Sequence, residues 1–521
     1  MRKVADVVAE QCRALGAEVV FTVSGNQNLP LLEAFHEAGT RIVHCRHESG
    51  AVYMAQAWGE LRGKPPICIL TAGPGHTSGL TALAASAAAE APLVCLSGAS
   101  NLGERGAFQE MDQASLAAQT GSRAYTLSAP GEASVLVGTA WRLAVGPVPG
   151  PVHISMPMDV LNAPADSPTF VDAFQEEATV DDVPPESLET VRRLLEQAQH
   201  PCVVVRPSLG RECRSLIAEA ARHGVLAFTA DSPRGLGDPA LVDCRDDLGN
   251  TDLLVIIGAL DFAVAYGHPD TKRAKPRVVM VTSIVPELVA GSGRLGEDDV
   301  LIRGQEKAWL DLVVRSLRDS HPVRKPRAGA GCRDIDDGEP LHPFAISREV
   351  LDQMRADDIV VVDGGEFGQW VRAGLRDCRN RSVYNGKLGA IGGSIPQAVG
   401  AAIAVPGCRA IAFVGDGAFG YYASELDTAA REGLDILVVV GNDSRWSAEW
   451  HLQREKYGRT VATELAGRSY DLVASGLGGE GKTVRTLREL RSELEVAGSA
   501  EPGVRCLNVV SRSVPIAALD Q

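Results

Sequence analysis

Short runs of β-branched residues alternate with helical patterns along the whole chain, and this alternation restricts the fold more than any other feature. Runs such as EVVFTV, PCVVVRP and RAIAFV are each followed by a stretch with the period of a helix. Strands that are joined through helices run parallel, because a helical crossover returns the chain to the same end of the sheet. The pattern therefore predicts an α/β protein of doubly wound parallel sheets, which bind their ligands at the carboxyl ends of strands.

Two stretches break this alternation and divide the chain into three parts. Residues 162–187 are acidic and rich in proline, and residues 319–342 mix charge, glycine and proline, as linkers do. A chain of 521 residues is long enough for about three domains. We therefore predict three doubly wound parallel-sheet domains, at residues 1–165, 185–320 and 340–515.

The composition argues against some classes of binding partner. A net charge of −15 argues against nucleic acid or an anionic membrane as partner, because like charges repel. The Ala-rich run at residues 80–97 is interrupted by Glu90 and Pro92, so it does not predict a membrane span. The eleven cysteines are scattered without a CxxC pair, as in a reducing compartment. We expect a cytoplasmic protein that acts on a small molecule.

Acidic residues follow two successive strands in the last third of the chain. Gly415-Asp416-Gly417 follows the run RAIAFV, and Asn442-Asp443 follows the run DILVVV. The glycines let the backbone approach a ligand, and the helix that begins near Gly420 can offer its N–H groups to an anion. A lone GDG is more often only a tight turn, but a second acidic position one helix and one strand later favours a site. A divalent cation such as Mg²⁺ would reconcile these carboxylates with a phosphate.

The segment GDGAF…ELDTAAREGLDILVVVGND resembles the thiamine diphosphate motif of one enzyme family. That family contains acetolactate synthase, pyruvate decarboxylase, benzaldehyde lyase and 2-hydroxyacyl-CoA lyase. The resemblance implies thiamine diphosphate and Mg²⁺ as cofactors, with the side chains of Asp416 and Asp443 and the carbonyl of Arg445 as metal ligands. The family usually has Asn at position 443, and the extra charge of Asp443 predicts a stronger dependence on metal concentration. The residues implied to bind the cofactor are Gly389, Ile391, Gly415, Asp416, Gly417, Ala418, Phe419, Asp443, Glu366 and Phe367.

Glu48 is the strongest candidate for activating the cofactor. It stands where the strand RIVHC leads into the helix of ESGAVYMAQAWG. By itself, an acid at this position can simply favour the positive end of a helix. The resemblance implies instead that Glu48 bonds N1′ of the aminopyrimidine ring, which requires a carboxyl whose pKa is raised in an apolar site. It further implies that Ile391 supports the bend of the cofactor and that the Gly389 carbonyl accepts from the 4′-amino group. It also implies a homodimer or homotetramer with the active site between subunits.

The choice of reaction depends on the remaining pocket residues. Gln109 matches a glutamine of ligases and lyases in the family, whereas pyruvate decarboxylases carry two adjacent histidines, which this chain lacks. His76 can act as a proton shuttle or as a plain hydrogen-bonding residue. The catalytic candidates are thus Glu48, Gln109 and His76, and the substrate-pocket candidates are Asn26, Gln27, Asn385 and Trp446.

These residues predict a carboligase or lyase that acts on a small 2-oxo acid or 2-hydroxy ketone. The alternatives are a 2-oxo-acid decarboxylase that releases an aldehyde, a 2-hydroxyacyl-CoA lyase, a flavin-linked oxidase and a non-catalytic member, against which Glu48 argues. FAD is not expected, because the GSGRLG segment at residues 291–296 matches GxGxxG without following a strand and opening a helix.

Overall fold

The computed structural model describes residues 2–165, 185–223, 225–232, 238, 249–258, 276–283, 298–320, 338–375 and 378–516. The GSGRLG segment and most of the two predicted linkers lie outside these residues. The described chain forms three parallel sheets in two compact units. One unit contains the first and third sheets, and the other contains the central sheet. The prediction of three parallel-sheet α/β domains is confirmed, while their boundaries stay predictions.

The first sheet has six parallel strands in the order β2-β1-β3-β4-β6-β5. Its side chains alternate between two apolar faces: Ile67 and Ile69 point to one, and Cys68 and Leu70 to the other. Helices must therefore cover both faces. The strands are β1 (Val19–Thr22), β2 (Arg41–His44), β3 (Ile67–Leu70), β4 (Leu93–Ala99), β5 (Arg123–Thr126) and β6 (Pro151–Pro157). The helices are α1 (Val4–Ala14), α2 (Leu29–Glu37), α3 (Glu48–Arg62), α4 (Pro74–Ala88), α5 (Gln113–Ala118), α6 (Ala133–Ala144) and α7 (Met158–Asn162).

The central sheet has five parallel strands in the order β11-β10-β9-β7-β8. Its strands are β7 (Pro201–Val205), β8 (Leu226–Thr229), β9 (Leu253–Ile257), β10 (Arg277–Thr282) and β11 (Val300–Arg303). The described helices of this unit are α8 (Pro185–Gln197), α9 (Pro207–Glu212), α10 (Arg214–Arg222) and α11 (Glu306–Ser320). Arg206, directly after β7, forms a buried ion pair with Glu306, which also accepts from the Ser283 N–H at 3.0 Å.

The third sheet has six parallel strands in the order β13-β12-β14-β15-β17-β16. Position by position, this is the order of the first sheet. The strands are β12 (Ile359–Val362), β13 (Ser382–Tyr384), β14 (Ala410–Gly415), β15 (Ile436–Asn442), β16 (Glu480–Val484) and β17 (Val504–Val510). The helices are α12 (Pro343–Asp352), α13 (Gly365–Gly374), α14 (Ser394–Ala404), α15 (Asp416–Tyr422), α16 (Glu425–Arg431), α17 (Ser447–Tyr457), α18 (Tyr470–Gly476) and α19 (Leu487–Ser499).

One hydrophobic core joins the first and third sheets. Its centre is the crossing of α3 and α14, two helices that each follow the second strand of their sheet. A side chain cannot fit at Gly400 of α14, because a Cβ there would lie 2.2 Å from the carbonyl oxygen of Met54 in α3. The two backbones therefore touch, and the position of α3 depends on the third sheet.

The strands predicted from the sequence are present, but several others carried no clear signal. The additional strands include β5, β8, β13 and β16. Strand β16 is mostly polar and partly exposed, because it lies at a sheet edge and needs few apolar residues. The helix after β14 begins at Asp416 rather than near Gly420, since the strand already ends at Gly415. Among the described residues, no helix combines the length and apolar character needed to cross a membrane.

Candidate active site

Two carboxylates meet at the carboxyl edge of the third sheet. Strands β14 and β15 are neighbours, with Gly415 paired to Gly441, so the residues that follow them emerge side by side. Asp416 is the first residue of α15 and is almost entirely buried, and Asp443 lies just beyond β15 and is half-buried. Register alone thus brings together two acids that are far apart in the sequence.

The electrostatics of this pair favour a cation. Burial, and then the negative charge of Asp443, raise the pKa of Asp416 to about 7. Burial also raises the pKa of Asp443, against hydrogen bonds that include one from Ser447. The Oδ2 atom of Asp416 is buried and accepts no hydrogen bond from the described residues. A buried carboxylate with an unpaired oxygen, next to a half-buried one, fits a hard divalent cation such as Mg²⁺.

The loop after β15 is held in a shape that turns its main chain toward this pair. Ser444 has a positive φ of 60°, and its N–H lowers the pKa of Asp416, against the effect of burial. The guanidinium of Arg445 instead bonds Glu464 at 3.1 Å and stacks 4.6 Å from the ring centroid of Trp450. The side chain of Arg445 is thus held away from the pair, and the role of its carbonyl as a metal ligand stays a prediction.

Small residues leave room for a ligand beside the acids. A Cβ at Gly415 would have Phe367 Cβ as its nearest neighbour, at 4.0 Å, whereas one at Gly417 would lie 2.6 Å from the ring of Trp446. Ala418 and Phe419 are buried, and Phe419 packs in the core. Their side chains are therefore enclosed by the protein. The indole of Trp446 walls this part of the site.

Asp363 organises the turn that contains the predicted cofactor support. Its carboxylate accepts from the N–H groups of Gly392 at 2.8 Å and Ser394 at 3.0 Å, and from the amide of Asn385 at 3.0 Å. Ile391 is half-buried beside this turn, and Gly389 has a φ of 72°. The sequence pointed to the segment around Asp363 but did not identify this anchoring role.

Glu366 and Phe367 face their own chain. Glu366 accepts a hydrogen bond from the N–H of Ile516. Phe367 packs in the core below Gly441, where a Cβ would lie 2.4 Å from its ring. Both residues shape the edge of the third sheet, and their predicted contact with the cofactor stays a prediction.

The first sheet carries a second cluster at its own carboxyl edge. Glu48 is the first residue of α3, and its carboxylate accepts no hydrogen bond from the part of the chain that the structure describes. Its Oε1 would lie 3.3 Å from a Cβ at Gly75, in the first turn of α4. Thr71 lies in the turn between β3 and α4 and donates to Gln27 at 3.0 Å. A half-buried, unpaired carboxyl beside a glycine can accept a hydrogen bond from a ligand.

Gln109 borders this cluster, while Asn26 lies at its surface. Gln109 has a positive φ of 62°, and its Cβ would lie 2.7 Å from a Cβ at Gly73. Asn26 is exposed. The buried Gln113, which sequence reasoning missed, accepts from the Gly73 N–H at 3.1 Å and donates to the Gly98 carbonyl at 3.2 Å. It begins α5, directly after a polar loop, and the sequence gave no signal of its burial.

His76 lies inside the first sheet's core rather than on its open edge. It is fully buried, its Nδ1 is 3.0 Å from the Ser97 hydroxyl, and its ring centroid is 4.7 Å from that of His153. Burial lowers the pKa of His76 to about 4 and that of His153 well below its usual range. A role in proton transfer stays a prediction. His153 escaped sequence reasoning, because β6 was not predicted.

Comparisons with known proteins match both ends of the chain to thiamine pyrophosphate enzymes. Two family models match: the N-terminal TPP binding domain of thiamine pyrophosphate enzymes at residues 2–116, and the C-terminal one at 363–509. A probable acetolactate synthase of Mycobacterium bovis is 28% identical, over 94% of this chain and 92% of the relative. The 2-hydroxyacyl-CoA lyase 2 of Danio rerio is 28% identical, over 94% and 87%. A thiamine diphosphate-dependent 4-hydroxybenzoylformate decarboxylase of Rhodococcus jostii RHA1 shares the fold, with a TM-score of 0.83, 20% identity and coverage of 98% and 100%.

Proposed function

This chain belongs to the thiamine pyrophosphate enzyme family, and on that premise we propose that it makes or breaks a carbon–carbon bond beside a carbonyl group. It is a thiamine-diphosphate-dependent enzyme with acetolactate synthases and 2-hydroxyacyl-CoA lyases among its relatives. Both kinds of relative are named for reactions at such a bond. We propose a small 2-oxo acid or a 2-hydroxy ketone as its substrate.

The observation that supports this most directly is the pair of acids at the third sheet's edge. We propose that Asp416 and Asp443 hold Mg²⁺, with the Arg445 carbonyl as a third protein ligand. Within the described residues, no three His, Cys, Asp or Glu side chains form a metal site. The remaining ligands would therefore be main-chain, water and diphosphate oxygens, which is the mixture that Mg²⁺ prefers. The test is a calorimetric titration of the protein with thiamine diphosphate, carried out once with Mg²⁺ and once with EDTA, and binding should require the metal.

The cluster around Glu48 supplies the other half of the proposed chemistry. The bound cofactor acts as an electron sink at its thiazolium ring. Glu48 would hold or share a proton at N1′ of the aminopyrimidine, and Gly389 would accept from the 4′-amino group. Ile391 would keep the two rings folded together. The hydrogen bonds that Asp363 accepts from this turn would hold Gly389 and Ile391 in place for these contacts with the cofactor.

We propose that two copies of the chain complete each site. Large apolar side chains are exposed beside both edges: Phe108 is 78% exposed next to Gln109, and Tyr421 is 54% exposed on α15. A second copy could cover both groups. Light scattering is expected to give a dimer or tetramer of the 55.0 kDa chain.

Mixing two inactive variants tests whether the site is shared. A Glu48→Gln chain keeps the third-sheet edge, and an Asp416→Ala chain keeps the first-sheet edge. Half of randomly formed dimers are mixed, and each would contain one intact site, so roughly a quarter of the wild-type turnover should return. If each chain contains a whole site, the mixture stays inactive.

The main alternative is a 2-oxo-acid decarboxylase. Incubation of the cofactor-loaded protein with 2-oxo acids and acyloins separates the two functions, because a decarboxylase releases free aldehyde without an acceptor. A carboligase or lyase is expected to form or cleave the acyloin instead, and mass analysis of the products distinguishes them. Release of aldehyde from 2-oxo acids alone, at the full turnover rate, would overturn the carboligase proposal.

For the central sheet we propose a structural role. The buried pair of Arg206 and Glu306 stands at its carboxyl edge, and Gly258 there would place a Cβ 2.4 Å from Arg206 Cδ. Because FAD is not expected, the purified protein should be colourless. The cysteines of the described residues are free, which supports the proposed cytoplasmic location.

A further inference from the structure

One buried carboxylate of the third sheet's unit is bonded to the main chain that precedes Glu48. Glu425, the first residue of α16, is fully buried. Its Oε1 accepts from the N–H of His47 at 2.9 Å and from the N–H of Arg46 at 3.1 Å. Its Oε2 accepts from the Thr428 hydroxyl at 2.6 Å. The carboxylate is thus fully used, and most of its bonds go to a connection between two elements of the first sheet.

That connection contains the proposed cofactor activator. Residues 45–47 join β2 to α3, and Glu48 comes directly after them. The His47 ring caps the helix by accepting from the Ser49 N–H at 3.1 Å. A carboxylate near the start of a 15-residue helix is also favoured by the helix dipole. Hydrogen bonds to an ionised acceptor are strong and directional, so Glu425 restricts the path of the chain into Glu48.

The helix has a glycine where this carboxylate enters. A Cβ at Gly50 would lie 2.2 Å from Glu425 Oε1. Glycine is unfavourable in a helix by about 1 kcal/mol relative to alanine. Its presence in the first turn of α3 is explained by the space that the carboxylate needs.

Exposed ion pairs surround the buried contact. Arg41 pairs with Glu432 at 2.7 Å, and Arg46 approaches Asp427 at 3.5 Å. Such exposed pairs contribute about 0–1 kcal/mol. They therefore serve as matched controls for the buried bonds of Glu425.

We infer that Glu425 is a positioning residue, which fixes the place and direction of the Glu48 carboxyl through the N–H groups of Arg46 and His47. This inference rests on the proposed role of Glu48. It also means that the third sheet, which presents the metal-site acids, sets the geometry of the acid on the first sheet.

The experiment measures exchange of the C2 hydrogen of bound thiamine diphosphate for deuterium, and amide hydrogen exchange of residues 41–50 in the cofactor-free chain. Glu425→Ala is expected to slow C2 exchange by about 100-fold, since a displacement near 1 Å at a catalytic group costs that much. Amide exchange should rise at Arg46 and His47. Glu425→Gln keeps one acceptor oxygen and should restore part of the rate. Glu432→Gln should stay within about twofold of wild type.

Gly50→Ala provides a second test that does not remove a buried acid. Helix propensity alone predicts a neutral or stabilising change, but the new methyl group must displace Glu425, so C2 exchange should fall. Gly498→Ala in α19, where a Cβ would meet nothing within 4 Å, is the matched control and should leave the rate unchanged. If Glu425→Ala does not fold, Glu425→Gln and Gly50→Ala decide the outcome.

Failure of the proposed function and failure of the positioning role of Glu425 give different results. If Glu48→Gln leaves C2 exchange unchanged, the proposed function is wrong at this residue. If Glu48→Gln abolishes exchange while Glu425→Ala and Gly50→Ala both keep the wild-type rate, only the positioning role is overturned. An equal loss in Glu432→Gln and Glu425→Ala would also overturn it.

Discussion

The first and third sheets share one strand order and differ in the residues that follow their strands. After its third and fourth strands, the third sheet has Asp416 and Asp443, whereas the first sheet has the turn of Thr71 and the loop that contains Gln109. After its second strand, the first sheet has Glu48, whereas the third has the turn of Ile391. The same framework thus presents a pair of acids at one edge and Glu48 at the other. The fold supplies positions, and a few residues decide the chemistry.

The comparison extends to the helices. Helix α3 and helix α14 follow equivalent strands and pack directly against each other at Gly400. Their contact makes the first and third sheets one unit, so a change on one sheet can reach the other. The Glu425 bonds to the connection before α3 are a second such contact.

The roles of the two sheet edges should differ most clearly in variants that lack the acid of one edge. Glu48→Gln is expected to keep thiamine diphosphate binding but to lower turnover by roughly 100-fold to 10,000-fold, because it removes a proton-sharing group. Asp416→Ala is expected to weaken Mg²⁺-dependent binding of the cofactor by at least about 100-fold. Calorimetry and steady-state kinetics on both variants check this. Full activity of Glu48→Gln would contradict the roles given to the two edges.

A fall in pH should lower the free energy of unfolding through the buried histidines of the first sheet. An unfolded histidine has a pKa near 6.5, whereas His76 in the folded chain has a pKa of about 4. Between these values the unfolded chain binds more protons, so the free energy of unfolding falls as pH drops through this window, by about 3 kcal/mol for His76. Denaturant unfolding at pH 7.5, 6 and 5 measures the loss.

His76→Ala should flatten this pH dependence, and the exposed His36→Ala should not change it. Equal pH dependence in wild type and His76→Ala would show that His76 does not contribute to acid stability.

The contact between α3 and α14 should tolerate no side chain. Gly400→Val is expected to destabilise the chain by about 1–3 kcal/mol, because the larger residue must push two backbones apart. Thermal unfolding measures the effect. Gly498→Ala, on an open helical surface, is the control, and a similar small change in both variants would show that the helices can separate freely.

The smallest effect is expected at Asp443, where the resemblance to the family implies Asn. Asp443→Asn keeps an oxygen ligand but removes one negative charge beside the diphosphate. The Mg²⁺ concentration needed for half-maximal cofactor binding should fall by up to about 10-fold. An unchanged requirement for Mg²⁺ would remove the special role assigned to this carboxylate.

The sequence by itself determined the parallel α/β class, the strands rich in β-branched residues and the motif around Asp416, Asp443 and Glu48. These features are local, since a buried strand must be apolar and a glycine turn must follow where a ligand approaches. The family that the resemblance indicated is confirmed by the comparisons.

The tertiary structure alone decided which distant residues meet. Three contacts join parts of the chain that are remote in sequence. They are the pairing of His76 with His153, the hydrogen bonds that Asp363 accepts from the Ile391 turn, and those that Glu425 accepts from the β2–α3 connection. Polar residues of this kind have no periodic pattern, because their burial is compensated by one specific partner rather than by a continuous apolar face. Such partners become visible only when strand register and helix packing bring them together.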